Sequence, residues 1–293
     1  MQTDRRTFVR VALGAAAGGL LSYGFHQDSS LKGIKLGTFF APNPTADDFI
    51  FLKSAGVETV SIWTGMRDNN VDFMLETRRR FETHQIQVNN IGILDLHCDP
   101  TIVLGLPGFD EKVEQYKTYL TNLGKAGLHY TTYAHISNIK NTSTPGTYQT
   151  AVVPTRGGST TRQFDFDIAK TLPLTFGKAY EADQIWATFT KFIQAVMPVA
   201  EKSGVRIGLH PDDPPVESLG GVARIFRNFE GYQRAIEIAN NDNFGLCFCV
   251  GTWAEGGKMT GKDVMEMIQY FGSRKKIFKV HFRNVSSCGP YVR

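Results

Sequence analysis

Short apolar, β-rich runs alternate with longer stretches in which apolar residues recur every three to four positions, and the alternation persists from residue 34 to residue 282. The pattern predicts strands over 34–40, 57–63, 86–94, 128–135, 205–210, 244–250 and 277–282. Between them it predicts helices over 45–55, 68–84, 108–125, 182–203, 231–240 and 261–271. The first helix opens on Thr45-Ala-Asp-Asp, a sequence that caps its own amides.

Regular βα steps with no break in composition predict an α/β fold in which a parallel sheet closes, or nearly closes, into one TIM (β/α)8-type barrel. An open, doubly wound sheet is the competing architecture. It is disfavoured because polar or ligand-type residues end nearly every strand: Trp63, His97, His135, His210, Cys249 and His281. A barrel gathers all those ends on one face, where active sites are built. The last predicted strand is followed only by residues up to Arg293, so the expected barrel lacks its last β/α unit. Residues 137–162 break the rhythm. They are rich in Thr, Ser, Gly and Pro, as in Asn141-Thr-Ser-Thr-Pro-Gly, and exceed an ordinary βα loop, which suggests a lid over a substrate.

At the N-terminus, Asp4-Arg-Arg-Thr-Phe-Val-Arg10 precedes an Ala- and Gly-rich apolar run over 11–21 and has the form of a twin-arginine export signal. A soluble basic helix is the alternative. The run is too short and too Gly-rich to span a membrane. The expected organisation is a signal or disordered segment over 1–30 and a single barrel domain over 31–293. The mature protein is then periplasmic, or cytoplasmic if the signal is not used.

Composition adds exclusions. With 42% hydrophobic and 20% charged residues, the 293-residue chain can bury one large core. Its net charge is only +4, and Arg5, Arg6 and Arg10 all lie in the leader, so neither a nucleic-acid stripe nor a polybasic membrane patch is present. Four cysteines, Cys98, Cys247, Cys249 and Cys288, form no C-x-x-C pair, which favours a metal or buried-thiol role over a disulfide framework.

The candidate chemistry centres on residues 206–215, R-I-G-L-H-P-D-D-P-P, where Pro214 and Pro215 prevent the strand from continuing and leave His210 at its end. His210, Cys249 and His281 end three successive strands, and neighbouring strands lie about 5 Å apart, so the three side chains can share an ion. Imidazole and thiolate donors favour Mn²⁺, Fe²⁺, Co²⁺ or Zn²⁺ over Mg²⁺ or Ca²⁺. Taken singly, Cys249 also reads as a small buried hydrophobe with Cys247 on the same strand face, and His281 as a core histidine. Asp212 or Asp213 is a candidate acid or base, or else a cap for the following turn. Arg283 is a candidate clamp for a substrate carboxylate, because its planar fork suits bidentate binding. Tyr133 and His135, at the end of one strand, are candidates for substrate contact, with Tyr133 equally a core residue, and Trp63, at the end of another, is either an apolar wall for a sugar or a packing residue. Arg162 and Asp165 either face the substrate or pair to anchor the lid.

His210-Pro-Asp-Asp-Pro-Pro, Cys249-Val-Gly-Thr-Trp and Val280-His281-Phe282-Arg283 resemble, in that order, the signature segments of the mannonate dehydratase family within the xylose-isomerase-like barrels. Arg162-Gln-Phe-Asp165 resembles the family's Arg-x-Phe-Asp motif. The resemblance covers residues 34 to 285 and implies a metal-dependent lyase that removes water from D-mannonate to give 2-keto-3-deoxy-D-gluconate. It also implies Mn²⁺ or Fe²⁺ held by a His, a Cys, a second His and a late Asp. The first three correspond to His210, Cys249 and His281, whereas residues 286–290 read Ser-Ser-Cys-Gly-Pro and offer no Asp. The expected partner is a small sugar acid, with no nucleic acid and no stable membrane insertion, and a homo-oligomer is left open. A sugar isomerase or epimerase on the same barrel is a second reading, and an inactive or carbohydrate-binding homologue a third.

Overall fold

The computed structural model describes residues 33–137, 150–171 and 173–285. The twin-arginine segment, the Asn141 stretch of the expected lid, Cys288 and the other residues after 285 lie outside the described residues. The chain divides into two units, Met1–Ile34 and Lys35–Arg293, and everything below concerns the second.

Local sequence accounts for the elements. Strand β1 (Gly37–Phe40) leads to α1 (Ala46–Ser54), where Thr45 and Asp48 cap one another's backbone amides. Strand β2 (Thr59–Thr64) leads to α2 (Val71–Glu82), started by the Asn70 side chain. After β3 (Gln87–Ile93) come a short α3 (Pro100–Leu104), capped by Asp99, and α4 (Phe109–Lys125). Strand β4 (Tyr130–Tyr133) precedes an antiparallel hairpin of β5 (Ala151–Pro154) and β6 (Thr160–Gln163), then the single turn α5 (Phe166–Ala169) capped by Asp165. The long α6 (Ala182–Lys202) buries Ile185, Phe189, Phe192, Ile193 and Val196, a spacing of three and four that keeps one face on the core. Strand β7 (Arg206–Leu209), the small hairpin β8 (Ser218–Leu219) and β9 (Val222–Ala223), and α7 (Phe229–Ala239) follow. Strand β10 (Phe244–Cys249) passes directly into α8 (Val250–Gly256), and α9 (Val264–Ser273) delivers β11 (Ile277–His281).

Two parallel sheets result, β1-β2-β3 and β4-β7-β10-β11. In both, the strands lie in the order in which the chain makes them, as in a barrel, and neither sheet shows the reversal of strand order that defines a doubly wound sheet. The sheets meet at β3 and β4. There the Tyr119 hydroxyl of α4 donates to the Ile91 carbonyl of β3 at 2.7 Å and lies 2.7 Å from the Thr131 hydroxyl of β4. At the far side, Lys279 of β11 donates to the Ser61 hydroxyl of β2. The main core, with Ile62, Ile91, Ile207, Leu246, Phe189 and Phe192 at 0% exposure, lies on and between the strands and under the helices.

The alternation of strand and helix is as expected, and the irregular parts differ. The second half of the expected lid is a regular, exposed β-hairpin. Its Thr- and Val-containing strands pair through the backbone even though the connecting residues are Gly-rich. No helix among the described residues is long and apolar enough to cross a membrane.

Candidate metal centre

Each of the three candidate donors stands where a parallel strand stops. The His210 backbone N–H donates to the Tyr133 carbonyl at 2.7 Å, which keeps the end of β7 joined to β4. Its Nδ1 lies 2.8 Å from the Pro211 carbonyl oxygen. A carbonyl only accepts, so Nδ1 carries a proton and Nε2 is the nitrogen left to face a ligand, once it gives up any proton of its own. Cys249 is the last residue of β10 and pairs in register with His281, the last residue of β11. One donor atom from each of His210, Cys249 and His281 lies within 4.8 Å of the other two. Metal–donor bonds of about 2.0–2.3 Å put two donors on one ion up to about 4.6 Å apart, so a closure of a few tenths of an ångström at most brings the trio onto a single ion.

The electrostatics suit the same role. Burial alone would push the Cys249 thiol up, but hydrogen bonds from His210 and His281, and then the charges of His210 and Arg283, bring it down to about 5. Burial works against a charge on His210, yet the Cys249 thiolate, Asp213 and the Pro211 carbonyl raise it. His281 is lowered, chiefly by burial and against the pull of Cys249. Two imidazoles around a thiolate are a donor set that fits a borderline divalent ion. Cys247, on the same face of β10, is pushed up to about 11 by burial and stays a thiol. Its Sγ sits 3.3 Å from His281 Nε2.

Just beyond the trio, Arg283 Nη1 donates to Asp213 Oδ2 at 3.0 Å, while Nη2 donates to Glu255 Oε2 at 2.9 Å and to Thr252 Oγ1 at 3.2 Å. The fork expected to clamp a substrate carboxylate therefore holds two protein carboxylates. Asp212 is 1% exposed. It accepts from the Phe226 N–H at 2.7 Å and faces Arg224 at 3.9 Å, fastening the segment before α7 to the end of β7. Burial raises Asp212 to about 6 despite Arg224 and Phe226.

Tyr133, read equally as substrate contact or core, and His135, read as a substrate contact, both lie in the core. Tyr133 and His135 are 1% and 3% exposed and are joined to one another, hydroxyl to Nδ1, at 2.6 Å. His135 Nε2 lies 3.5 Å from the Thr188 hydroxyl, with Phe189 and Phe226 edge-on to the ring. Burial holds His135 down at about 3, so it is a neutral core histidine. Both side chains lie on the helix-facing side of β4, packed beneath α6. Trp63 is half-buried, its ring 4.5 Å from that of His97 and seated over Gly92, where a Cβ would come within 2.3 Å of it. Arg162 lies on the exposed hairpin strand β6, and Asp165 caps α5. These two do not join the trio.

A family profile for D-mannonate dehydratase (UxuA) matches residues 169–290, the stretch that contains all three donors. The crystal structure of mannonate dehydratase from Streptococcus suis serotype 2 aligns with a TM-score of 0.75 and 25% identity, covering 88% of this chain and 74% of that one. The chain is similar to the mannonate dehydratases in sequence and in fold. Mannonate dehydratase of Streptococcus equi subsp. zooepidemicus is 29% identical over 238 residues, 73% of this chain, and the chain spans 62% of the length of that relative. A likeness in fold alone extends to a xylose isomerase domain protein from Planctomyces limnophilus, with a TM-score of 0.52 and 12% identity over 88% of this chain and 78% of that one. The architecture shared with these mannonate dehydratase and xylose-isomerase-type neighbours is a parallel α/β sheet of the TIM-barrel kind.

Sequence reasoning missed Glu255, Thr252 and Lys279. Glu255 is fully buried in α8, a helix that β-rich Val250-Gly-Thr-Trp does not advertise. Lys279 was within reach, because the two-residue period of a strand puts it on the same face as His281.

Proposed function

We propose that the protein is a metal-dependent hydro-lyase that removes water from D-mannonate, or a similar sugar acid, to give the 2-keto-3-deoxy acid, on a (β/α)8 frame. The observation that carries this reading is the meeting of His210, Cys249 and His281 at three adjacent strand ends in a chain related to mannonate dehydratases. Mn²⁺ or Fe²⁺ is the ion proposed for the trio. Bound there, it would supply positive charge to offset the negative charge that builds up as the carbon next to the substrate carboxylate loses its proton.

The remaining work falls to side chains. A base takes the proton from C2, an acid gives a proton to the hydroxyl leaving C3, and the resulting enol becomes the 2-keto acid with net loss of one water. Asp212, lifted to about 6 by its burial, can hold and release a proton near neutral pH. Asp213 keeps negative charge close to His210 and is itself held by Arg283.

The test is to load the purified protein with Mn²⁺ or Fe²⁺, add D-mannonate and follow the products. A 2-keto-3-deoxy acid is expected. Isomerised or epimerised sugar with no water lost would overturn the lyase reading in favour of an isomerase.

A further inference from the structure

We infer that Arg283 is the positioning residue of this centre, its guanidinium tying together the three chain segments that carry His210, Cys249 and His281. The inference rests on the reading of that trio as an ion site. Arg283 follows His281 by two positions, Asp213 follows His210 by three, and Thr252 and Glu255 follow Cys249 by three and six. The strand ends that supply the donors therefore continue into segments that meet again, one layer out, on a single cation. Nη1 takes the segment after β7 through Asp213, and Nη2 takes α8 through Glu255 and Thr252.

Burial makes this tie costly to lose. Glu255 is 0% and Asp213 5% exposed, so removing the cation they share costs each a charge-assisted hydrogen bond made out of water. The backbone is shaped around the same side chain. A Cβ on Gly251 would lie 2.5 Å from Arg283 Nε and 2.9 Å from its Cβ, so the start of α8 closes directly onto the arginine stem. Lysine cannot reproduce the tie, because a single ammonium lacks the planar fork that spans two acceptors. Arg283 acts through the segments it joins. It holds His281, Cys249 and His210 at the separation one ion requires, and it is not a catalytic residue.

Co²⁺ alone, added to the full-length protein, is the probe, read by the thiolate-to-cobalt charge-transfer absorption and by competition with a chelator. The wild-type protein is expected to show the band, and its absence there would overturn the ion-site reading itself. With the band present, Arg283→Lys is expected to bind Co²⁺ about 10- to 100-fold more weakly, the range seen when groups supporting metal ligands are removed, with a displaced band. Asp213→Asn cuts one arm at constant volume and is expected to weaken binding less. The double variant should be no worse than Arg283→Lys, because both act on one tie. If Arg283→Lys does not fold, Asp213→Asn carries the test. Wild-type affinity and band position in the folded variants would overturn the inference, even if their melting temperatures fall.

Discussion

His210 Nδ1 and the carbonyl oxygen of Pro211 lie 2.8 Å apart, so the imidazole is oriented by the very next peptide of its own chain. Fixing the proton on Nδ1 turns Nε2 toward Cys249 and His281 as a donor whose geometry is set before any ion arrives. His210→Ala is therefore expected to lose stoichiometric Mn²⁺ on desalting, measured by elemental analysis. Full metal content in that variant would remove His210 from the donor set.

Cys249 is expected to titrate far below an ordinary thiol. In metal-free protein, thiolate absorbance should rise through about pH 5, and that step should be missing in Cys249→Ser. Cys247, at about 11, contributes nothing there. Since an ion competes with the proton for the sulfur, metal affinity should fall as the pH drops through the same region. A rise centred in the usual thiol range, near 8.5, would show that the histidines do not hold the thiolate.

His135 predicts an acid limit to stability. Its folded-state pKa is about 3 against an ordinary 6.5, so between those values the unfolded chain binds a proton that the folded chain refuses. Stability from this residue is present in full above 6.5 and is lost as the pH falls, at a slope of up to about 1.4 kcal/mol per pH unit. Urea unfolding of His135→Phe across that range should show a shallower pH dependence than the wild-type protein. An unchanged slope would mean that the ring is protonated in the folded state.

Tyr119 spans the junction of the two sheets. Tyr119→Phe leaves the Ile91 carbonyl and the Thr131 hydroxyl without that shared partner in a dry layer and is expected to cost about 1–3 kcal/mol of unfolding free energy. Denaturant unfolding measures it. A cost near zero would show that water or Thr131 alone satisfies the junction.

Where a feature depended on neighbours in sequence, it was legible before any coordinates. Thr45 and Asp48 announce the start of α1 because both caps act within one turn, and the βα rhythm predicts parallel strands laid down in chain order. His210, Cys249 and His281 were legible as a set because their residue types recur at successive strand ends. Arg283 was legible as a cation beside the site but not in its role, since Asp213 and Glu255 reach it from segments 70 and 28 positions away in the chain. His135 was misplaced for a similar reason. A histidine at the end of a strand reads the same whether it points to the mouth or into the layer under α6, and Thr188, Phe189 and Phe226 decide which.

Periodicity, capping and ligand-type residues at strand ends, all local properties of the chain, determined the parallel α/β frame and singled out the three candidate donors. Tertiary packing decided the rest: that the donors come within 4.8 Å of one another, that Cys249 sits low enough to be a thiolate, and that Arg283 binds protein rather than substrate carboxylates. Distance, desolvation and charge pairing depend on which remote segments share a volume, and a one-dimensional pattern does not carry that information.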